Sequence, residues 1–367
     1  MIIENILQKD NFTRDDIIAL LSVDNSNDIE LIRNKAEQTL LEKCGQKVFY
    51  RGLIEFSNNC VCDCHYCGIR KSNHTVKRFT LSKEEIVSAA QWCAQNGYGS
   101  VVLQSGERRD SAFVGFVEDV IRQIKSATVS QNLPHGVGIT LSIGEQSPQT
   151  CEQLFKAGAH RYLLRVETSS QKLFDSIHPP TQSLERRLNT IKNLKQADFQ
   201  VGTGVMIGLP EQTTENLADD ILLFKELDID MIGMGPYIAH KDTPMNIHSE
   251  YFNTNKDKIF QTSLLMIAVC RLVLQDVNIA STTALQAIRD DGREMGLRYG
   301  ANVIMPQVTP VNVRRNYLLY EGKPCMDENS EEIRKQLDSR IRSLGRQTAL
   351  NEWGDSKHVR ETFSAPR

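Results

Sequence analysis

The chain has 367 residues, of which 40% are hydrophobic and 24% charged, with a formal net charge of −3 at pH 7. That composition allows one large barrel or two average domains, and it excludes a collagen-like, disordered or strongly basic nucleic-acid-binding polypeptide. No apolar run approaches the roughly 20 residues of a membrane span, and acids interrupt the apolar N-terminus, so a cytoplasmic protein without membrane or nucleic-acid partners is expected. Nine cysteines without an export signal point to metal or redox chemistry rather than to a disulfide framework.

In chain order, residues 1–49 read as helices, with Thr13 as an N-cap before first-turn acids and Gly45 as a C-terminal stop, and are expected to form a helical lid. From residue 50 onward eight short apolar or β-branched runs, at 53–59, 100–106, 137–144, 161–167, 201–210, 231–238, 278–285 and 301–306, alternate with helix-length amphipathic segments. Strand-then-helix repeats imply parallel strands with right-handed crossovers, and eight of them close into an α/β fold of the (β/α)8 TIM-barrel type. A doubly wound open sheet is the alternative, though it normally has fewer strands. Residues 311–367 turn polar and helical, so the expected organisation is an N-terminal helical extension (1–49), one barrel (50–310) and a C-terminal extension (311–367) closing it.

The first strand runs into a loop that sets Cys60, Cys64 and Cys67 in a C-x3-C-x2-C pattern. Three thiolates on one loop hold three irons of a cubane and leave the fourth iron open to a chelating small molecule. Structural zinc wants four closed ligands, and no partner C-x2-C pair occurs elsewhere, although Cys62 or His65 stand near enough in sequence to supply a fourth. Cys62 reads as a bystander thiol. Cys93, Cys151 and Cys270 fall on helical segments and read as small buried hydrophobes.

With aromatic Tyr66 just before the third cysteine, the loop resembles the signature of the radical S-adenosylmethionine (SAM) superfamily. The resemblance implies a radical SAM enzyme with one 4Fe-4S cluster, which binds SAM through its open iron and reductively cleaves it to a 5′-deoxyadenosyl radical. It also implies cofactor contacts by position. Gln104, Ser105, Gly106 and Glu107 end the second strand, with Ser105 where a glycine is usual; Glu167 ends the fourth; Arg186 lies on the helix that follows, where a guanidinium suits the SAM carboxylate. Taken without the cysteines, 104–107 reads equally as a strand-to-helix turn with an acid at a helix N-terminus.

Over nearly the whole chain, the stretches YRGLIEFSNNCVCDCHYCGIR, VVLQSGE, RYLLRVETSS, GTGVMIGLPEQT, MIGMGPYIAHKDTPM, STTA and GANVIMPQVTP are similar to the family of iron-iron hydrogenase maturases called HydE. That resemblance implies action on a small organometallic or amino-acid-derived substrate, an iron complex with carbonyl, cyanide and cysteine ligands that is a precursor of the two-iron site. It implies as partners the HydG and HydF type maturases and a ferredoxin or flavodoxin reductant. Carried over by position, Arg161, Arg165, Thr282, Thr283, Met305, Tyr317 and Tyr320 line an enclosed cavity. Arg161 and Arg165 lie four apart on one strand and so share a face, and inward arginines are costly unless they meet anions. The plainer reading is an ion pair with Glu167 or Glu145, and for the threonines, Met305 and the tyrosines it is packing. Among the histidines, His240 is the candidate cavity member.

Three departures stand out: Cys325 lacks the companions that a second C-terminal cluster needs, Val166 precedes Glu167 where a family member has His, and Arg108 follows Glu107 where an acid is common. Two other readings remain, a methylornithine synthase or biotin synthase-like radical SAM enzyme and a non-catalytic iron-sulfur scaffold that binds no SAM.

Overall fold

The computed structural model describes residues 2–359. The apolar runs form parallel strands β1 (Lys47–Ser57), β2 (Ser100–Ser105), β3 (Gly138–Ser142), β4 (Arg161–Leu163), β5 (Gln200–Thr203), β6 (Met206–Ile207), β7 (Met231–Ile232), β8 (Gly235–Pro236), β9 (Asn278–Ser281), β10 (Val303–Ile304) and β11 (Gln347–Ala349). Hydrogen bonding runs β1-β2-β3-β4-β5-β7-β9-β10, and β10 returns to β1, so eight parallel strands close into a (β/α)8 barrel. Strands β6 and β8 pair with each other and continue β5 and β7 beyond a break. At that break the backbones crowd: a Cβ on Gly204 would lie 2.2 Å from the Gly233 carbonyl oxygen, so only glycine fits.

Amphipathic helices cover the outside. Ser111–Ala127 shows the rule, burying Phe113, Val117, Val120, Ile121 and Ile124 along one stripe behind an N-cap at Asp110. Ser82, Ser147, Ser183 and Thr213 cap their helices in the same way, each side chain accepting a backbone N–H at a typical value of about 1 kcal/mol. The buried thiols of Cys93, Cys151 and Cys270 sit on helix faces in the core, as the sequence suggested.

The N-terminal helices are not a lid. Arg14–Leu21 packs on the flank of the barrel against Thr214–Glu226 and the long helix Ser249–Leu274, Ser26–Lys43 packs against Ser249–Leu274, and Ile2–Leu7 packs on those two N-terminal helices. Their apolar stripes, such as Ile17, Leu20 and Leu21, are consumed there, and none of their residues reaches the cavity at the mouth.

The chain after β10 treats the two ends of the barrel separately. Residues 311–328 cross the mouth, anchored by a buried ion pair of Lys323 with Glu55 on β1 and by Arg314 donating to the carbonyls of Thr309, Cys325 and Glu328. Helix Ser330–Ser343 then descends to β11, which pairs with the start of β1, and residues 353–358 lie across the floor. Among the described residues no helix is long and apolar enough to cross a membrane.

Candidate functional site

The loops at the C-terminal ends of the strands enclose a cavity of about 250 Å³, the usual place for a barrel active site. The cysteine loop forms one wall. Cys60, Cys62, Cys64, Tyr66 and Cys67 all line it, and the end of β2 supplies Gln104, Ser105, Gly106 and Glu107 opposite. The two segments are in contact: a Cβ on Gly106 would lie 2.4 Å from the Asn59 carbonyl oxygen, and the Val61 N–H donates to the Glu107 carbonyl at 2.9 Å.

The thiols are set for a cationic partner. Burial pushes Cys64 up to about 12 and Cys67 well above the ordinary thiol value, so neither becomes a thiolate unless positive charge is brought to it. Cys60 is held down by the Cys62 thiol and by two backbone donors to its sulfur, the N–H groups of Cys62 at 3.4 Å and Glu107 at 3.3 Å. Among the described residues no three His, Cys, Asp or Glu side chains converge on one point as a single ion requires. A cubane asks for something else, one thiolate on each of three separate irons, and this donor set suits it.

Facing the thiols is a charged wall. Arg109, Arg186 and Arg187 all reach the Glu145 carboxylate, at 2.9, 2.6 and 2.8 Å. Arg109 also pairs with Glu107, whose other oxygen accepts the Glu145 N–H at 3.0 Å. Burial opposes ionisation of Glu145, but the Arg187 guanidinium outweighs it and holds the carboxyl below its ordinary value. The turn carrying Glu145 needs Gly144: its φ is +81°, and a Cβ there would run into the Glu107 side chain. Tyr162 fixes the turn by donating its hydroxyl to the Gly144 carbonyl at 2.6 Å.

Glu167 lies in the left-handed region at φ 69°, a strain of about 1–2 kcal/mol for a residue with a side chain. Its N–H donates to Gly204 and its carbonyl accepts from Met206, while the buried Asp220 carboxyl takes the Ser169 N–H at 2.6 Å. So held, Glu167 meets Arg165 at 2.8 Å on the cavity surface. With Arg109, Arg165, Arg186 and Arg187 against Glu107, Glu145 and Glu167, the wall has four guanidinium groups for three carboxylates. Arg165 Nε and Gln182 Nε2 are buried at the cavity without hydrogen-bond partners. Charges of both signs on the cavity surface, Arg165 and Arg187 with Glu107 and Glu167, together with those two unsatisfied nitrogens, suit a zwitterionic amino-acid ligand carrying further polar groups.

The sequence candidates divide accordingly. Tyr66, the 104–107 stretch, Glu167, Arg165, Tyr317 and Tyr320 line the cavity beside the three cysteines. Arg186 does not: it points out, 44% exposed, bonded to Glu145 and the Thr181 carbonyl. The buried face of helix Leu184–Gln196 carries Leu184, Arg187, Ile191 and Leu194, so Arg187 is the arginine turned inward, 100° round the helix from its neighbour. Arg161 also misses the cavity. It opens β4, whereas Arg165 lies beyond the end of that strand; Arg161 lies at the floor, donating to Thr140 and to the Trp353 carbonyl and pairing with Asp355. Its partner is thus neither Glu167 nor Glu145.

Thr282 and Thr283 sit behind the wall, because the chain turns into helix Thr283–Ile288 rather than extending β9. Thr282 donates to the Met234 carbonyl at 3.2 Å, and the Tyr320 hydroxyl bonds Thr283 at 3.1 Å. Met305 lines a void of about 20 Å³ deeper in the barrel, with Arg51 and Met231. His240 is buried against Gly68 outside the cavity lining. Sequence reasoning missed Gln182, Arg187 and the organising Glu145; for Arg187 the helical period of 184, 187, 191 and 194 was the available signal.

The model of the radical SAM superfamily matches residues 54–224. A curated relative, the FeFe hydrogenase maturase subunit HydE of Thermotoga maritima, is 40% identical over 97% of this chain and 97% of its own length. The 3-methylornithine synthase of Methanosarcina acetivorans is 25% identical over 93% of this chain and 91% of its own. A crystal structure of methylornithine synthase shares the fold with a TM-score of 0.79 at 22% identity, over 96% of this chain and 98% of that one.

Proposed function

This chain belongs to the HydE family of FeFe hydrogenase maturases, within the radical SAM superfamily, and on that premise we propose that it converts a small anionic iron complex with carbonyl, cyanide and cysteine ligands on the way to the hydrogenase two-iron site. One observation carries the reading: the three-thiol loop and two guanidinium groups, those of Arg165 and Arg187, meet at a single cavity. When bound, the 4Fe-4S cluster and SAM supply the electron and the cleavable C5′–S bond of the radical chemistry.

The residues divide the remaining work. Cys60, Cys64 and Cys67 hold the cluster, and the backbone donors of Cys62 and Glu107 draw charge off the Cys60 sulfur. Arg187, fixed by Glu145, takes the SAM carboxylate, while Glu167 and the free amide of Gln182 take its ammonium and ribose groups. Next to Glu167, Arg165 orients the anionic precursor together with Tyr317 and Tyr320, and Leu163, Met206 and Ile238 keep water away from the reactive carbon. The HydG and HydF type maturases stand before and after this step, with a ferredoxin or flavodoxin as reductant.

The test is anaerobic reconstitution with iron and sulfide, followed by electron paramagnetic resonance of the dithionite-reduced protein with and without SAM. About four irons per chain and a SAM-dependent shift of the reduced signal are expected, lost in Cys60→Ala, Cys64→Ala and Cys67→Ala but kept in Cys62→Ala. A reduced cluster indifferent to SAM would return the protein to the scaffold reading. Lysine, but not the iron complex, stimulating SAM cleavage would move it to methylornithine synthase.

A further inference from the structure

A second cavity, of about 290 Å³, adjoins the first and takes no part in the chemistry described above. It lies between the loop after β8, the start of helix Ser249–Leu274 and residues 321–322. Ile238 lines both cavities. On one side of it, helix Thr283–Ile288 presents Ala284 to the first cavity and Ala287 to the second. On the other side, the segment crossing the mouth presents Tyr320 to the first and Glu321 to the second. The partition is therefore about one layer of side chains thick. Its crossing segment is tied there by two polar contacts, Tyr320 to Thr283 at 3.1 Å and the Gly68 N–H to the Leu319 carbonyl at 3.0 Å.

The second cavity has a definite chemistry. Lys241 and Lys256 line it, and among the described residues neither is paired with a carboxylate. Glu321, the acid in the lining, faces the Lys241 backbone N–H at 3.4 Å and His240 at 3.9 Å. Phe252 and Ala287 add an apolar side. Unpaired cations in a concave, partly apolar site concentrate small anions and raise their rate of capture.

We propose that this second cavity is the capture site for the enzyme's anionic substrate, which passes from it into the reaction cavity between Ile238 and Tyr320. The proposal rests on the functional reading above, in which the substrate is an anionic iron complex carrying a cysteine carboxylate. It gives Lys241 and Lys256 a role in substrate specificity, and none in SAM binding.

The experiment uses the reconstituted holoenzyme, with a synthetic iron dicarbonyl cyanide cysteine complex as the probe. Two readouts are followed, consumption of the complex and SAM cleavage without it. In Lys241→Glu/Lys256→Glu, kcat/KM for the complex should fall at least about tenfold, within the range of electrostatic capture. At saturation kcat should approach wild type, the fall of kcat/KM with added potassium chloride should vanish, and SAM cleavage without the complex should not change. Ala287→Trp, which fills the cavity without altering charge, should raise KM in the same way. Wild-type kcat/KM and salt dependence in the lysine variant, with wild-type KM in Ala287→Trp, overturn the capture site while leaving the functional reading intact. If wild-type enzyme cleaves SAM but never consumes the complex, the functional reading fails, and the capture site with it.

Discussion

The mouth and the floor of this barrel both bury arginine, and they settle its charge in opposite ways. At the floor the chain answers Arg161 itself: the side chain donates to Thr140, Ser100 and the Trp353 carbonyl and pairs with Asp355. At the mouth, Arg165 and Arg187 face the cavity with Glu107 and Glu167, and Arg165 Nε and Gln182 Nε2 are left without partners there. A buried cation closed off by its own chain is architecture, whereas one left short of partners beside a cavity marks a binding site. Arg161 and Arg165 are four residues apart, one opening β4 and the other just past its end, yet they fall on the two sides of that distinction.

The sharpest break of the comparison is at the mouth. Arg187→Ala should weaken SAM binding by roughly a hundredfold, the loss of a buried charge-assisted contact worth about 3 kcal/mol, with the iron content unchanged. Arg186→Ala, one residue away on the exposed side of the helix, should cost less than about threefold. Equal losses in the two, read by SAM titration of the cluster signal, would undo the inward assignment of Arg187.

At the floor the effect should appear in stability. Asp355→Ala leaves the fully buried Arg161 without its counter-charge and should lower stability by about 2–3 kcal/mol, seen as a lower Tm with SAM affinity unchanged. A loss of SAM affinity at unchanged Tm would mean that the floor is part of the site.

The smallest effect concerns the end of the floor segment. His358 lies between Asp276 at 2.9 Å and Asp228 at 2.8 Å, and these raise its pKa to about 9. Because the folded pKa is above the ordinary value of 6.5, this contribution is complete below pH 6.5 and is lost as pH rises through about 9. The carboxylate partners of His358 are exposed to solvent, Asp228 by 72% and Asp276 by 37%, so the contribution should stay under about 1 kcal/mol. His358→Ala should accordingly lower Tm near pH 6 and match wild type near pH 10; a gap persisting at the higher pH would show packing rather than charge.

Much of the mouth was legible from residue order. A three-cysteine loop is local, so its spacing alone brings the thiols together, and strand ends at 104–107 and 167 point to the C-terminal face once the barrel is recognised. Arg186 was the near miss, because choosing between neighbouring arginines on a helix depends on the buried face, given by Leu184, Ile191 and Leu194. Glu145 stayed hidden for another reason: its importance lies in three arginines from two separate segments, which no local pattern announces. The floor was the least legible, since Trp353, Asp355 and His358 sit in an unremarkable polar tail and acquire meaning only beneath β4 and β9.

By itself, the sequence determined the alternation of strand and helix, the caps, the eightfold parallel barrel and the cluster loop, because all of these depend on periodicity or spacing within some ten to twenty residues. Only the tertiary structure decided that the N-terminal helices flank the barrel instead of covering it, that Arg161 belongs to the floor, that Arg187 rather than Arg186 faces the cavity, and that a second cationic cavity adjoins the first. Each of those outcomes turns on which buried surface or charge meets which, across segments tens to hundreds of residues apart, and such pairings are settled by packing and by the cost of an unpartnered buried charge.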